Sequence, residues 1–432
     1  MATSHGGSLD VTRSPWQSPE QLAAEAAAAR ILASDAVRQA RAHVSHLWRL
    51  AYGEDASTHA PAQFDAAMDE YCANWVLKAT ASDAHHPRFV CNFMTPRGPV
   101  EQGLMGARAG GDNPDNVYRL AGIAHDGRYR VQGQLRGQAP SNVSFTLVGN
   151  YGTSVTLQTI ELHNMQVDEQ GRFTIDIDDQ ASGAHSNHLC TVPNVKFLFV
   201  RDSLNDWSLE HPLALSIERL NPTGDAPIDE AEMTRRAVFR MVEDVPLYYW
   251  FTRLFSGKPV NFMQVQASAG IGGLVTQAGT QGHFRIGDDE ALLIRVDPAG
   301  ARYCSLWIYD WWFRSVDADK RFTGRNLASS DADADGRITW VLSARDPGVV
   351  NWIDISGLPE GLMGCRWQNL PGTPLRQGPL IEQINRVMLS DLSLHLPAGH
   401  RRVSATERGA ELQARARDFQ RRLQPIDRVS LD

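Results

Sequence analysis

The sequence predicts a mainly β protein with helices: two antiparallel β-sandwich or jelly-roll-like units accompanied by N-terminal, central and C-terminal helices. Three observations carry this. Short runs with period-two alternation recur after Asp112 and again from Glu290, split by Gly, Asn and Asp, as antiparallel strands joined by tight turns require. Helical crossovers are missing between those runs, which excludes a parallel dinucleotide-binding sheet. Three other stretches instead place apolar residues three and four apart.

In chain order, residues 1–110 read as a helical segment, 111–225 as the first β unit, 226–258 as a central helix pair, 259–395 as the second β unit and 396–432 as a terminal helix. From Pro19 to about Leu50, the residues Leu22, Ile31, Leu32, Val37, Val44, Leu47 and Leu50 keep helical spacing behind a Ser18 start signal. A second helix over Pro61–Lys78 aligns Phe64, Ala67, Met68, Tyr71, Trp75 and Val76 on one face. Strands follow near 129–133, 143–148, 153–157, 172–177, 195–200 and 213–218. Helical periodicity returns over Pro227–Phe255, where Pro246 should divide the helix. After a Gly-rich stretch over 260–300, strands resume near 290–296, 304–309, 337–342 and 363–367. Ser404–Leu423 is an Arg-rich helix whose charges read as a solvated face. No exact internal repeat is present.

A length of 432 residues favours two or three domains. Net charge −8 and pI near 6.0 leave no basic footprint for nucleic acid. The N-terminus lacks the apolar core of a signal peptide, and no apolar run approaches a membrane span, so the expectation is a soluble, bacterial-type cytoplasmic protein. The five scattered cysteines, without a CxxC pair, read as reduced and mostly buried.

Residues 303–357 concentrate aromatics, carboxylates and tight turns, a mixture suited to a pocket. The strings NPDNVYRLAGI (113–123), GRYRVQGQLRG (127–137), SFTLVGN (144–150), SLWIYD (305–310), DADGRITWVL (333–342) and DPGVVNWIDISG (346–357) together resemble the bacterial domain-of-unknown-function family numbered twelve-fourteen, over roughly residues 110–375. The resemblance implies stacked antiparallel β units of jelly-roll-like type and a place in bacterial catabolism of steroid-type or other lipophilic compounds. Trp311-Trp312, where the family commonly has a Gly-containing turn, and the N-terminal helices depart from its pattern.

The residues themselves suggest one site. Asp310 would be a general acid or base, its pKa raised by desolvation, with Tyr309 as hydroxyl partner. Arg325 would hold an oxyanion with Asn351, Asn326 would complete the polar cluster, and Trp307, Trp311, Trp312 and Trp352 would form walls. A lipophilic small molecule, steroid- or terpenoid-like, would then bind between the β units or at the open end of the second, undergoing lyase, isomerase or hydrolase chemistry without a cofactor. A non-catalytic binding or scaffold subunit is the competing expectation. Structural readings stand beside each residue: Asp310 and Arg325 as a loop-fixing ion pair, Asp346-Pro347-Gly348 as a turn, and Trp311-Trp312 as the interface of a homo-oligomer. No metal is expected. Asp331-Ala-Asp333-Ala-Asp335-Gly336 opens like a calcium loop but has Leu342 in place of the bidentate Glu, and His185 and His188 lack dictated partners. Gly270–Gly273 carries no phosphate-loop Lys and reads as part of a loop over the pocket.

Overall fold

Ser18 caps the first helix by accepting a hydrogen bond from the Gln21 amide, and Pro19 occupies the first turn, where its missing N–H is harmless. In the computed structural model, which describes residues 9–53, 57–96, 106–149, 155–180, 187–267, 276–371 and 380–426, that helix ends early. Ser34 accepts from the Val37 amide and starts a new one, so the helix expected over 19–50 is two: α1 (Pro19–Leu32) and α2 (Asp35–Tyr52). A third helix, α3 (Phe64–Thr80), follows a short 3-10 turn.

The first β unit comprises β1 (Val90–Cys91), β2 (Asn116–Gly122), β3 (Tyr129–Gln134), β4 (Asn142–Val148), β5 (Thr156–Glu161), β6 (Arg172–Asp178), β7 (His188–Cys190), β8 (Phe197–Ser203) and β9 (Ala214–Arg219). Pro246 then separates α4 (Glu230–Glu243) from α5 (Val245–Ser256), as its lost N–H requires. The second unit holds β10 (Phe262–Ala267), β11 (Ala278–Arg285), β12 (Glu290–Val296), β13 (Tyr303–Tyr309), β14 (Gly324–Asn326), β15 (Ile338–Ser343), β16 (Trp352–Asp354), β17 (Glu360–Gln368) and β18 (Ile381–Met388). Helices α6 (Leu392–His395) and α7 (Ala405–Leu423) finish the chain.

Each unit is a sandwich. Sheet β1-β2-β8-β4-β5 faces β7-β6-β3-β9, and sheet β10-β11-β17-β13-β14 faces β16-β15-β12-β18. Raising every strand number of the first unit by nine gives the second, so the topology is duplicated. The one parallel strand pair described in each unit, β6–β7 and β15–β16, falls at the same place. Phe145, Leu147 and Val200 meet Val131, Ile175 and Ile177 in the first core, while Leu306, Ile308 and Trp367 meet Leu292, Trp340 and Leu342 in the second.

A third core joins everything. The outer faces of the two five-stranded sheets share it with the helices, through Val117 and Leu120, Trp307 and Trp312, and Trp48, Tyr71, Met241 and Tyr248. Strands β2, β4 and β13 are therefore buried on both faces and lose the alternation that β3 and β6 keep. The N-terminal segment is part of this core, and its β1 pairs with β2.

Helix α7 corrects the expected solvated face. A capping box between Ser404 and Glu407 starts it, but Arg408, Arg415 and Arg422 are buried at heptad spacing. The Arg415 and Arg422 guanidinium carbons lie 4.4 Å and 4.0 Å from the Trp207 ring. Planar guanidinium groups stack on aromatic faces while their stems cover apolar surface, so an Arg-rich stripe can be the buried one.

Candidate functional site

The residues expected to form one site are distributed among separate structural joints. Asp310 is fully buried, accepts from the amides of Trp312 and Arg314 at 3.0 Å, and takes Arg314 Nε at 2.9 Å. Arg314 Nη1 donates onward to Glu70 at 2.8 Å, and Glu70 also binds Arg108. Two carboxylates and two guanidinium groups thus tie α3 to the loop after β13. Arg325 donates to the Trp352 and Ser329 carbonyls and stacks 3.8 Å from Phe322, so its partner is not Asp310. Asn351 has a positive φ of 59° and uses its side chain to bind both the amide and the carbonyl of Asp331.

Asn326 and Trp307 meet elsewhere, at Asp115. That buried carboxylate accepts from Tyr303 (2.6 Å), Trp207 (2.8 Å), Asn326 (3.0 Å) and Trp307 (3.2 Å), and burial raises its pKa. It links the two β units. Trp312 donates to the Ala60 carbonyl and contacts Trp48, Tyr52 and Phe64, whereas Trp311 stands edge-on to His283. Both are buried within this one chain, which removes them as an oligomer surface. Trp352 donates to the Ser343 carbonyl beneath Arg408.

The acidic turn has its own partners. Arg401 holds Asp331, Thr339 and His400 hold Asp333, and Arg295 holds Asp335. His188 meets Asp178 at 3.0 Å; His185 and Gly270–Gly273 lie outside the described residues. Among those described, no group of three His, Cys, Asp or Glu is placed to hold a metal.

Of the nine expected residues only Tyr309 reaches the aromatic cavity, of about 220 Å³, that lies between the β units beneath α3 and α5. Tyr71 and Trp75 of α3, Phe93, Tyr118 of β2, Phe199 of β8 and Tyr248, Phe251 and Phe255 of α5 supply rings to its wall, and Lys78 of α3 joins them. Gly110 and Gly111, at φ 68° and 73°, carry the chain across it; a Cβ on Gly111 would stand 2.3 Å from Phe313. This close crossing aims the Gly111 carbonyl at Arg366, whose Nη2 donates to it at 2.8 Å and to the Tyr309 hydroxyl at 3.2 Å.

Arg366 has a counterpart. It sits on β17 opposite Ser305 of β13, and Arg201 sits on β8 opposite Ser144 of β4, the same register in the duplicated topology. Both line the cavity, one from each unit. Arg201 lies 4.1 Å over the Phe199 ring. Burial, with the charge of Arg366 adding to it, pushes its pKa down to about 10, which leaves it cationic at neutral pH. Thr280 Oγ1 and Asn116 Oδ1, on cavity-lining residues, are buried without a hydrogen-bond partner among the described residues. At the helical end, burial pushes the Asp244 carboxyl up to about 6 despite Lys78, and the same desolvation lowers the pKa of Lys78.

Sequence reasoning passed over Arg201, Arg366, Lys78 and Asp244. A signal existed for the arginines: each interrupts an apolar strand, FLFVRDS and GLMGCRW, where a charge is expensive unless it faces something polar.

Neither a family model nor a curated protein matches the chain. Among solved structures it is similar to an uncharacterized protein from Burkholderia cenocepacia, with a TM-score of 0.69 at 22% identity, covering 84% of this chain and 99% of that one. That likeness is one of fold. A Vibrio parahaemolyticus protein aligns over 74% of this chain and 99% of its own, at 11% identity and a TM-score of 0.40. No helix among the described residues is long and apolar enough to cross a membrane.

Proposed function

We propose that the cavity between the β units binds a compact lipophilic anion, an aromatic or alicyclic carboxylate. The observation that carries this reading is the pair Arg201 and Arg366, brought to one aromatic-walled space from equivalent positions of the two units. Aromatic faces hold an apolar body, and a guanidinium fork matches a carboxylate. The bonded partners of Arg366, the Gly111 carbonyl and the phenols of Tyr309 and Tyr118, are neutral, so its charge remains available to a ligand. The volume is below the roughly 300–1,000 Å³ of drug-sized sites and favours a one- or two-ring ligand over a steroid. Membership of family twelve-fourteen, and with it a catabolic role, belongs to the same proposal.

A thermal-shift screen of aromatic and alicyclic carboxylates against their uncharged amides tests it. Carboxylates should stabilise the protein and the amides should not, and Arg366→Met should weaken carboxylate binding about 10–100-fold, the worth of a charge-assisted contact. Equal effects of acid and amide, or full binding by Arg366→Met, would overturn the reading.

A further inference from the structure

Of the 42 Lys and Arg residues in this chain only four are lysines: Lys78, Lys196, Lys258 and Lys320. Where the protein buries a cation against rings or carbonyls it uses arginine, as at Arg136, Arg408, Arg415 and Arg422. Lys258, on the Gln281 carbonyl, and Lys78, against rings, are half-buried lysines in such places, and of the two Lys78 lines the cavity. It projects from the last turn of α3 with Nζ 4.3 Å from the Trp75 ring and 5.6 Å from the Phe93 ring, in the wall of the anion cavity. Asp244, at the C-terminal end of α4, is its charged neighbour there and is held by Trp75. A series of ring contacts leads from the amine to the guanidinium groups: Phe93 meets Tyr118 at 4.9 Å, and Tyr118 meets Phe199, over which Arg201 lies, at 5.6 Å.

An amine differs from a guanidinium in one respect that matters here: it can lose a proton and attack carbon. We propose that Lys78 is a nucleophile which forms an imine with the carbonyl group of an aldehyde or keto acid whose carboxylate is held by Arg366 and Arg201. The inference rests on the anion-binding reading of the cavity and names its substrate class.

The step balances within the site. Lys78 passes a proton to the Asp244 carboxylate, and the free amine attacks the carbonyl carbon. The carbonyl π pair moves to oxygen, which takes up the proton released by nitrogen to give a carbinolamine. Asp244 then protonates the hydroxyl, water leaves, and the nitrogen lone pair closes the C=N bond as an iminium ion. No oxidant or reductant is consumed. Burial favours both partners: the desolvated ammonium releases its proton more readily, and the desolvated carboxyl takes one up more readily. An iminium is an electron sink, which suits carbon–carbon cleavage or proton transfer next to the former carbonyl.

The test is reductive trapping with 4-formylbenzoate, an aromatic aldehyde that carries a carboxylate, in the presence of cyanoborohydride, followed by peptide mapping. The wild-type protein should gain a single adduct with the mass of the aldehyde less one oxygen, on Lys78. Lys78→Met should abolish it, and so should Lys78→Arg, which keeps the charge over Trp75 and Phe93 and so guards against a folding artefact. Arg366→Met should slow trapping about tenfold or more, as loss of a charge-assisted contact requires. Adducts spread over Lys196, Lys258 and Lys320, or undiminished in Lys78→Met, overturn the inference. Arg366-dependent binding of 4-formylbenzoate without an adduct on Lys78 overturns the imine and leaves the anion cavity standing. Absence of both binding and trapping overturns the two together.

Discussion

Across the β13–β17 pair, Arg366 Nη2 donates to the Tyr309 hydroxyl at 3.2 Å while also holding the Gly111 carbonyl. The phenol is thus a support for the guanidinium and not its counter-charge. Tyr309→Phe should weaken carboxylate binding by about 1 kcal/mol, roughly fivefold, against the much larger loss in Arg366→Met. Calorimetric titration with the best carboxylate of the screen ranks the two; equal losses would contradict the supporting role.

Asp310 is predicted to act on folding and not on a ligand. Removing its carboxylate leaves Arg314 buried beside Arg108, with Glu70 the carboxylate that must pair with both. Asp310→Ala should therefore lower stability by about 3–5 kcal/mol. Urea unfolding measures this, and a change under 1 kcal/mol would show the network to be dispensable.

Asp244 makes stability depend on pH in a defined direction. Its folded pKa, pushed up by burial to about 6, exceeds the roughly 3.9 of an unfolded Asp, so the folded state holds the extra proton. The stabilisation is complete below about pH 4 and is lost as pH rises through about 6. Asp244→Asn removes that loss, so between pH 4 and 7 its stability relative to wild type should rise, by at most about 3 kcal/mol. Unfolding midpoints at several pH values test the slope; a constant difference would contradict the raised pKa.

The buried stripe of α7 separates two arginines only two residues apart. Arg415 stacks on Trp207 and donates to the Ala318 carbonyl at 2.7 Å, whereas Arg417 is exposed. Arg415→Ala should cost about 1–3 kcal/mol and Arg417→Ala under 0.5. Thermal unfolding of the pair is decisive, and equal midpoints would restore the solvated-face expectation for this helix.

Much of the fold was legible because local chemistry specifies it. Ser18 and Ser404 cap helices at the expected places, Pro246 divides α4 from α5, and β3 and β6 alternate because one face meets water. The break at Ser34 was hidden, since an Ala-rich pattern satisfies one long helix as well as two. The duplicated topology was hidden too. Strand order depends on which edges pair, and equivalent strands such as FLFVRDS and EGLMGCRWQ share little beyond a half-buried arginine.

Sequence proximity misdirected the reading of the site. The polar groups of 303–357 were close in the chain, yet β13, β14 and the loop before β16 carry them to different joints, where each satisfies a buried backbone or carboxylate group. By itself the sequence determined the class of the fold, the ends of most helices and the strands with one wet face, all set by interactions among near neighbours. Only the tertiary structure decided that Arg201 and Arg366, with Lys78 and Asp244 at the helical end, line one cavity. Those residues are far apart in the chain, and their meeting depends on two sandwiches and the helices α1–α5 and α7 closing a common core.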